Sequence, residues 1–273
     1  MSNSAIDNAP SQAPSPSATS STILSVKDLT MQFGGLIAVN GVSLKVGDAQ
    51  IVSIIGPNGA GKTTVFNCLS GFYTPTSGSI RFKDQEIQGL PDFKISRLGM
   101  VRTFQHVRLF KNMTVIENLL VAQHRHVNTS LLAGLFKSAD YKHKEEQAMH
   151  RARYWLDKVN LTKYANREAG NLAYGQQRRL EIARCMVTEP ELLMLDEPAA
   201  GLNPKETKDL DNLIVSLKED YHVSVLLIEH DMNLVMGISD AIYVINQGQP
   251  LASGTPDQVR NNPEVIKAYL GEA

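Results

Sequence analysis

Two stretches near the start, ILSVKDLTMQF (23–33) and LIAVNGVSLKV (36–46), alternate apolar and polar residues, with Gly34 and Gly35 between them. A period of two is the mark of half-buried strands, and paired glycines suit the turn that joins them. The next run, IVSII (51–55), is short and mostly β-branched, the pattern of a strand buried on both faces. Residues 62–71 read as a helix. SGSIRFKDQEI (77–87) reads as a further hairpin strand after the Thr76-Ser77-Gly78 turn. From about Thr114 to Val187 the pattern is mainly helical, in VIENLLVAQ, KEEQAMHRARYWLDKV and QQRRLEIARCMV. Two apolar strands follow, ELLMLD (191–196) and VSVLLIEH (223–230), with helical PKETKDLDNLIVSLKED between them. AIYVIN and QPLASG form a short pair, and a last helix ends at Tyr269-Leu270. Strands alternating with helices predict an α/β fold with a mainly parallel sheet. The antiparallel β pair forms an N-terminal subdomain, and the helical block reads as an insertion. No internal repeat is visible.

Composition narrows the classes. The chain has 273 residues, 42% hydrophobic and 20% charged, ordinary for a protein that buries a core. Its formal net charge of -1 gives no basic excess, so nucleic acid is not an expected partner. Cys68 and Cys185 lie far apart, as expected for two small apolar side chains in a reducing compartment. No apolar run approaches the roughly 18 residues that span a bilayer. Residues 1–22 are rich in Ser, Ala and Pro and are expected to be a disordered tail, ahead of a single domain over 23–273.

The candidate chemistry starts at Gly56-Pro57-Asn58-Gly59-Ala60-Gly61-Lys62-Thr63-Thr64, a G-x-x-x-x-G-K-[ST] loop between a branched strand and a helix. Glycines let backbone N–H groups approach phosphate oxygens closely, and the helix that follows points its positive end at the same anion. Lys62 can reach the outer phosphates, and the Thr63 hydroxyl can ligate Mg²⁺. The loop predicts nucleotide binding without saying which class of P-loop protein carries it. Asp196 ends an apolar strand; it reads as a Mg²⁺ partner beside Thr63 or as a cap to the next turn. The histidines of the 124–146 insert, His124, His126 and His143, match no ligand spacing and are read as part of a solvated loop.

More than a hundred residues later comes LAYGQQRRLEIARCMV, then ELLMLDEP, then His230 after VSVLLIE. With the P-loop and Gln105 in RTFQ, these five motifs stand in the order found in ATP-binding-cassette (ABC) ATPases, which the chain resembles over residues 23 to about 255. RTFQHVRLFKNMTVIENLLVAQ, LAYGQ, LDEPAAGLNP, IEHDM and the terminal AYLGEA further resemble the ATP-binding subunit of branched-chain amino acid importers. The resemblance implies roles. Glu197 orients and deprotonates the attacking water, and His230 contacts the γ-phosphate and holds Glu197. Gln105 reaches Mg²⁺ or that water, and its loop links the core to a helical subdomain at about 106–188. Phe33 stacks on adenine. Ala173, Gly175 and Gln176 of the signature loop close over phosphate. The common pattern there is LSGGQ, so this chain lacks the usual serine at Ala173 and has Tyr174 in place of a glycine. Asn203 stands where the family usually has aspartate.

In that family a signature loop completes the P-loop of a second ATPase chain, identical or related, so two ATP and Mg²⁺ sites form between two subunits. The resemblance implies membrane permease subunits as partners and, indirectly, a periplasmic or extracellular substrate-binding protein. It places the chain at the cytoplasmic face of the inner (plasma) membrane, as a peripheral subunit. Val107, Leu109, Phe110 and Met113 are the expected dock for a permease helix. Two alternatives share the motifs: the ATPase of a lipid or lipopolysaccharide exporter, and a soluble non-transport ABC ATPase. The second is disfavoured by a lone P-loop and by the lack of sustained heptads.

Overall fold

The computed structural model of the chain describes residues 21–123 and 139–270. The expected tail, apart from its last two residues, and His124 and His126 lie outside them. Two sheets are built. Strands β1 (Thr22–Phe33), β2 (Leu36–Gly47), β4 (Ser77–Phe82) and β5 (Gln85–Glu86) form an antiparallel sheet in the order β2-β1-β4-β5. Strands β3 (Ile51–Ile55), β6 (Met100–Arg102), β7 (Leu192–Asp196), β8 (Ser224–Ile228), β9 (Ala241–Asn246) and β10 (Gln249–Gly254) form the second, ordered β10-β9-β3-β8-β7-β6. Within it β6, β7, β8, β3 and β9 run parallel, and β10 returns antiparallel to β9.

The helices are α1 (Lys62–Leu69), α2 (Asp92–Arg97), α3 (Val115–Ala122), α4 (Ala139–Lys158), α5 (Tyr174–Met186), α6 (Pro204–Glu219), α7 (Met232–Ile238), α8 (Pro256–Arg260) and α9 (Pro263–Leu270). Alternation along the parallel strands divides their side chains between two cores. Leu192, Met194, Leu226 and Ile228 face a core shared with α1 and the antiparallel sheet. Leu193, Leu195, Val225 and Leu227 face a core shared with α3 to α6. Every residue of β3, β7 and β8 is buried, which is why their sequences are almost wholly apolar.

Several elements differ from the sequence expectation. The run 77–87 is broken at Lys83 and Asp84, both left-handed, into β4 and β5. Helix α4 begins at Ala139 rather than at 144. Strand β6 and helices α2, α7 and α8 were not anticipated; each is too short to show a period. The consequence for function is geometric. The carboxyl ends of β3, β6, β7 and β8 lie side by side, and that edge of a parallel sheet is where α/β proteins bind ligands.

Candidate nucleotide site

The loop between β3 and α1 wraps a cleft of ≈ 430 Å³ lined by Asn58 to Thr64, Glu197, Leu36 to Ala38, Gln247 and Gly248. Its shape depends on glycine at two points. Gly61 has φ 96°, and a Cβ there would sit 2.7 Å from the Ala38 carbonyl oxygen. A Cβ on Gly56 would sit 2.0 Å from the Ile245 carbonyl oxygen. The loop is therefore pressed between β2 and the β9–β10 turn, with room for backbone only. Lys62 is buried, and its ammonium donates to the carbonyls of Gly56 at 2.7 Å and Pro57 at 3.0 Å. Burial lowers its pKa, and the nearby charges of Glu197 and Asp196 oppose that shift. Thr63, by contrast, is exposed in the cleft.

Asp196 closes β7 and is buried. Its Oδ2 is taken by Arg102 Nη2 at 2.7 Å. Sequence reasoning missed Arg102, which closes β6. Its guanidinium also donates to Asn67 Oδ1 and Ser70 Oγ, both at 2.8 Å, and lies 5.4 Å from the ring centres of Phe66 and Phe104. Arg102 thus ties the P-loop helix to the acidic strand end. The one early signal was its place as the first residue of RTFQ, straight after the apolar pair Met100-Val101.

Glu197 follows with φ 45°, a left-handed conformation that a non-glycine residue rarely adopts. That turn lets its carboxylate leave the strand line. Glu197 Oε2 accepts from Gln105 Nε2 at 3.0 Å and lies 4.0 Å from His230 Nδ1. With Nδ1 also 3.5 Å from Glu229 Oε2, the His230 side chain is still 61% exposed and so open to solvent. Its backbone is held: the fully buried Glu229 accepts the N–H groups of His230 and Asp231 through one oxygen and that of Ala199 through the other. Glu229 therefore joins the turn after β7 to the turn after β8.

The signature residues lie elsewhere. Ala173, Gly175 and Gln176 do not line the cleft. They open α5, with Ala173 at the N-cap and its N–H donated to Gln176 Oε1 at 3.1 Å. Tyr174 lays its ring over Gly201, where a Cβ would be 3.3 Å from the ring. A Cβ on Gly175 would meet Glu206 Oε1 at 2.5 Å. The small residues here accommodate the turn before α6. Asn203 caps α6, accepting from Lys205 and Glu206 N–H at 3.1 and 3.0 Å. Asparagine performs that capping as well as aspartate does.

Phe33 is 42% exposed and packs edge-on against Tyr73 at 5.2 Å, outside the lining of the cleft. The exposed Leu36 and Ile37 line it instead, with Gln247 and Gly248 opposite, four residues sequence reasoning did not single out. His143 is exposed and bonded to Gln147 at 2.9 Å. No group of three or more metal-ligating side chains occurs among the described residues. The hydroxyl of Thr63, the carboxylate of Asp196 and the amide oxygen of Gln105 are all hard oxygen donors, the set that suits Mg²⁺.

A phosphate-shaped loop after a buried strand, with two successive carboxylates at the end of a second strand one place further along the same sheet, defines a P-loop nucleoside triphosphatase. A family model described as "ABC transporter" matches residues 39–200. The chain belongs to the ABC transporter family, as one of its ATP-binding, ATP-hydrolysing subunits. A second model, "Branched-chain amino acid ATP-binding cassette transporter", matches residues 249–273. The chain is 70% identical to the high-affinity branched-chain amino acid transport ATP-binding protein BraF of Pseudomonas aeruginosa, over 92% of this chain and 98% of that one. It is 65% identical to LivG of Escherichia coli K12, a protein of the same description, over 93% and 100%. Among solved structures, the ADP conformation of MJ1267, an ATP-binding cassette of an ABC transporter, superposes with a TM-score of 0.80. It is 34% identical, covering 92% of this chain and 100% of that one.

Proposed function

We propose that this chain is the ATP-hydrolysing, energy-coupling subunit of an importer for branched-chain, hydrophobic amino acids. The observation that carries this reading is the 70% identity to BraF over nearly its whole length. The subgroup-specific match at residues 249–273 agrees with it. The lipid-exporter reading has only the shared motifs in its favour.

In this reading the P-loop backbone from Gly56 to Thr64 cradles the phosphates, and Lys62 exchanges its loop carbonyls for phosphate oxygens. Leu36 and Ile37 support the base, with Phe33 at the edge of that apolar surface. Mg²⁺, when bound, would neutralise charge on the outer phosphates; Thr63 would hold it, with Asp196 and Gln105 as oxygen partners. Glu197 orients the attacking water and receives its proton. Phosphoryl transfer needs positioning and charge stabilisation more than covalent help, so the placement of Glu197 is the critical variable. Gln105 and His230 hold it from two sides.

Ala173, Gly175 and Gln176 serve the nucleotide of a second ATPase chain. Their absence from the lining of their own chain's cleft supports that assignment. The helical subdomain expected at about 106–188 moves, on this reading, with the loop that carries Gln105. No described helix is long and apolar enough to cross a membrane. The reading that the chain works on permease subunits, at the cytoplasmic face of the inner membrane, is supported by its likeness to transport ATP-binding proteins. Phe110 and Met113 are 50% and 37% exposed and are offered to a permease helix. Leu109 packs into the helical core and Val107 is half-buried, so these two shape the surface from beneath.

The test is co-purification from native membranes with a tagged Glu197→Gln chain in ATP and Mg²⁺. The expected result is permease proteins with a second ATPase, and a complex stabilised further by leucine and its binding protein. Lipid-export components in their place would overturn the importer reading and leave the catalytic assignments standing.

A further inference from the structure

Arg178 and Glu181 lie one turn apart on α5, the helix that opens with the signature residues. Both are buried, and they form an ion pair at 2.9 Å. Neither lines the nucleotide cleft. A buried ion pair adds little stability over apolar side chains of the same volume, so its presence calls for another account.

The pair clamps one stretch of backbone. Arg178 Nη1 donates to the Phe104 carbonyl and Nη2 to the Gln105 carbonyl, each at 2.8 Å. Glu181 Oε1 accepts the Arg108 N–H at 3.1 Å. The loop at 104–108 is therefore gripped at both ends by a single turn of α5. The same Nη2 lies 3.4 Å from both the Tyr174 hydroxyl and the Glu197 carbonyl. Tyr174 rests on Gly201, and the Gln105 amide holds the Glu197 carboxylate at 3.0 Å. A contiguous set of polar contacts thus runs from the first residues of α5 to the carboxylate that faces the cleft.

We propose that Arg178 and Glu181 are a positioning pair that carries the placement of the signature helix to Gln105, and through Gln105 to Glu197. Phosphate engaged at the signature loop then sets the catalytic carboxylate of that same chain. This last link rests on the two-chain site proposed above; the clamp on Gln105 does not. The fork of a guanidinium is required, because three acceptors lie in different directions and an ammonium cannot span them with fixed geometry.

The test is a double-mutant cycle in the full-length chain with Arg178→Lys, Gln105→Ala and the two combined. Arg178→Lys should lower kcat by about tenfold to a hundredfold, the scale of a misplacement of about an ångström. Affinity for ADP should change by less than about twofold, since the P-loop is untouched. In the Gln105→Ala chain the lysine substitution should add no further loss, because the two act in series. Additive losses, an unchanged kcat in a folded variant, or a parallel fall in ADP affinity would each overturn the proposal. Should Arg178→Lys fail to fold, Tyr174→Phe removes only the hydroxyl beside Nη2. Its kcat loss should likewise vanish in the Gln105→Ala background, and an unchanged kcat in the Tyr174→Phe single variant overturns the signature end of the coupling. Failure of the two-chain reading shows separately, as a Glu197→Gln chain that stays monomeric in ATP by light scattering and co-purifies with no second ATPase.

Discussion

Lys62 gives its ammonium to two carbonyls of its own loop, those of Gly56 and Pro57, while burial holds its pKa below the ordinary lysine value. A phosphate arriving in the cleft replaces those neutral acceptors with anionic ones and stabilises the charged form. Binding must then take up protons on the alkaline side, and affinity must fall as pH rises through the lowered pKa of the free chain. Nucleotide titrations across the alkaline range, with calorimetry in two buffers of different ionisation heat, measure both effects. A flat profile would mean that Lys62 does not meet phosphate. Lys62→Ala removes a charge-assisted contact outright and should weaken ATP binding by at least about tenfold to a hundredfold, read by the same titration.

At the scale of elements, the cleft depends on how closely β2 and the β9–β10 turn approach. Gly248 has φ 78°, and a Cβ there would stand 2.7 Å from the Ala38 carbonyl oxygen. Gly41 on β2 has a similar φ of 68° with nothing near the added atom. Alanine at Gly41 should therefore cost only the left-handed conformation, about 1–2 kcal/mol, and leave nucleotide affinity unchanged. Alanine at Gly248 should cost more and also weaken nucleotide binding, because the wall of the cleft must shift. Thermal melting paired with nucleotide titration separates the two, and equal effects would refute the close-approach argument.

The buried strands were the legible part of this fold. IVSII, ELLMLD and VSVLLIEH read as central parallel strands because burial on both faces leaves them few polar positions. The phosphate loop and the run of motifs were legible for a related reason: local chemistry demands particular residues at fixed spacing. Arg102, Leu36, Ile37, Gln247 and Gly248 were not. They meet the site through strand order, which brings together segments far apart in the chain, and nothing local marks such a meeting. Strand β6 is three residues long, too short for a period, and Arg102 was hidden with it. Tyr174 and Asn203 looked like defects of a motif. The structure gives each a neighbour, Gly201 for the ring and the first turn of α6 for the amide.

For the whole molecule, the proposed reading has a chain whose signature loop lies outside its own cleft complete its two half-sites only by meeting another chain. A closed two-fold pair satisfies both at once. Glu197→Gln keeps the size and the hydrogen-bonding edge of the side chain while removing its basicity. It should retain ATP binding, lose turnover by at least about a hundredfold, and accumulate an ATP-dependent dimer. Light scattering and phosphate release measure the two. Normal turnover would dismiss Glu197 as the residue that positions water.

The strand ends have one more implication. Asp196 is buried at the end of a sheet strand and Lys62 at the head of the helix packed on that sheet, while Gln105 and His230 sit exposed on loops beyond them. The chemistry is thereby split into an anvil and a hammer. Holding the nucleotide belongs to the rigid lattice, and the moment of the blow belongs to the loops. Such a machine can have its tempo retuned by substitutions in the loops alone, while its hold on fuel stays as it was.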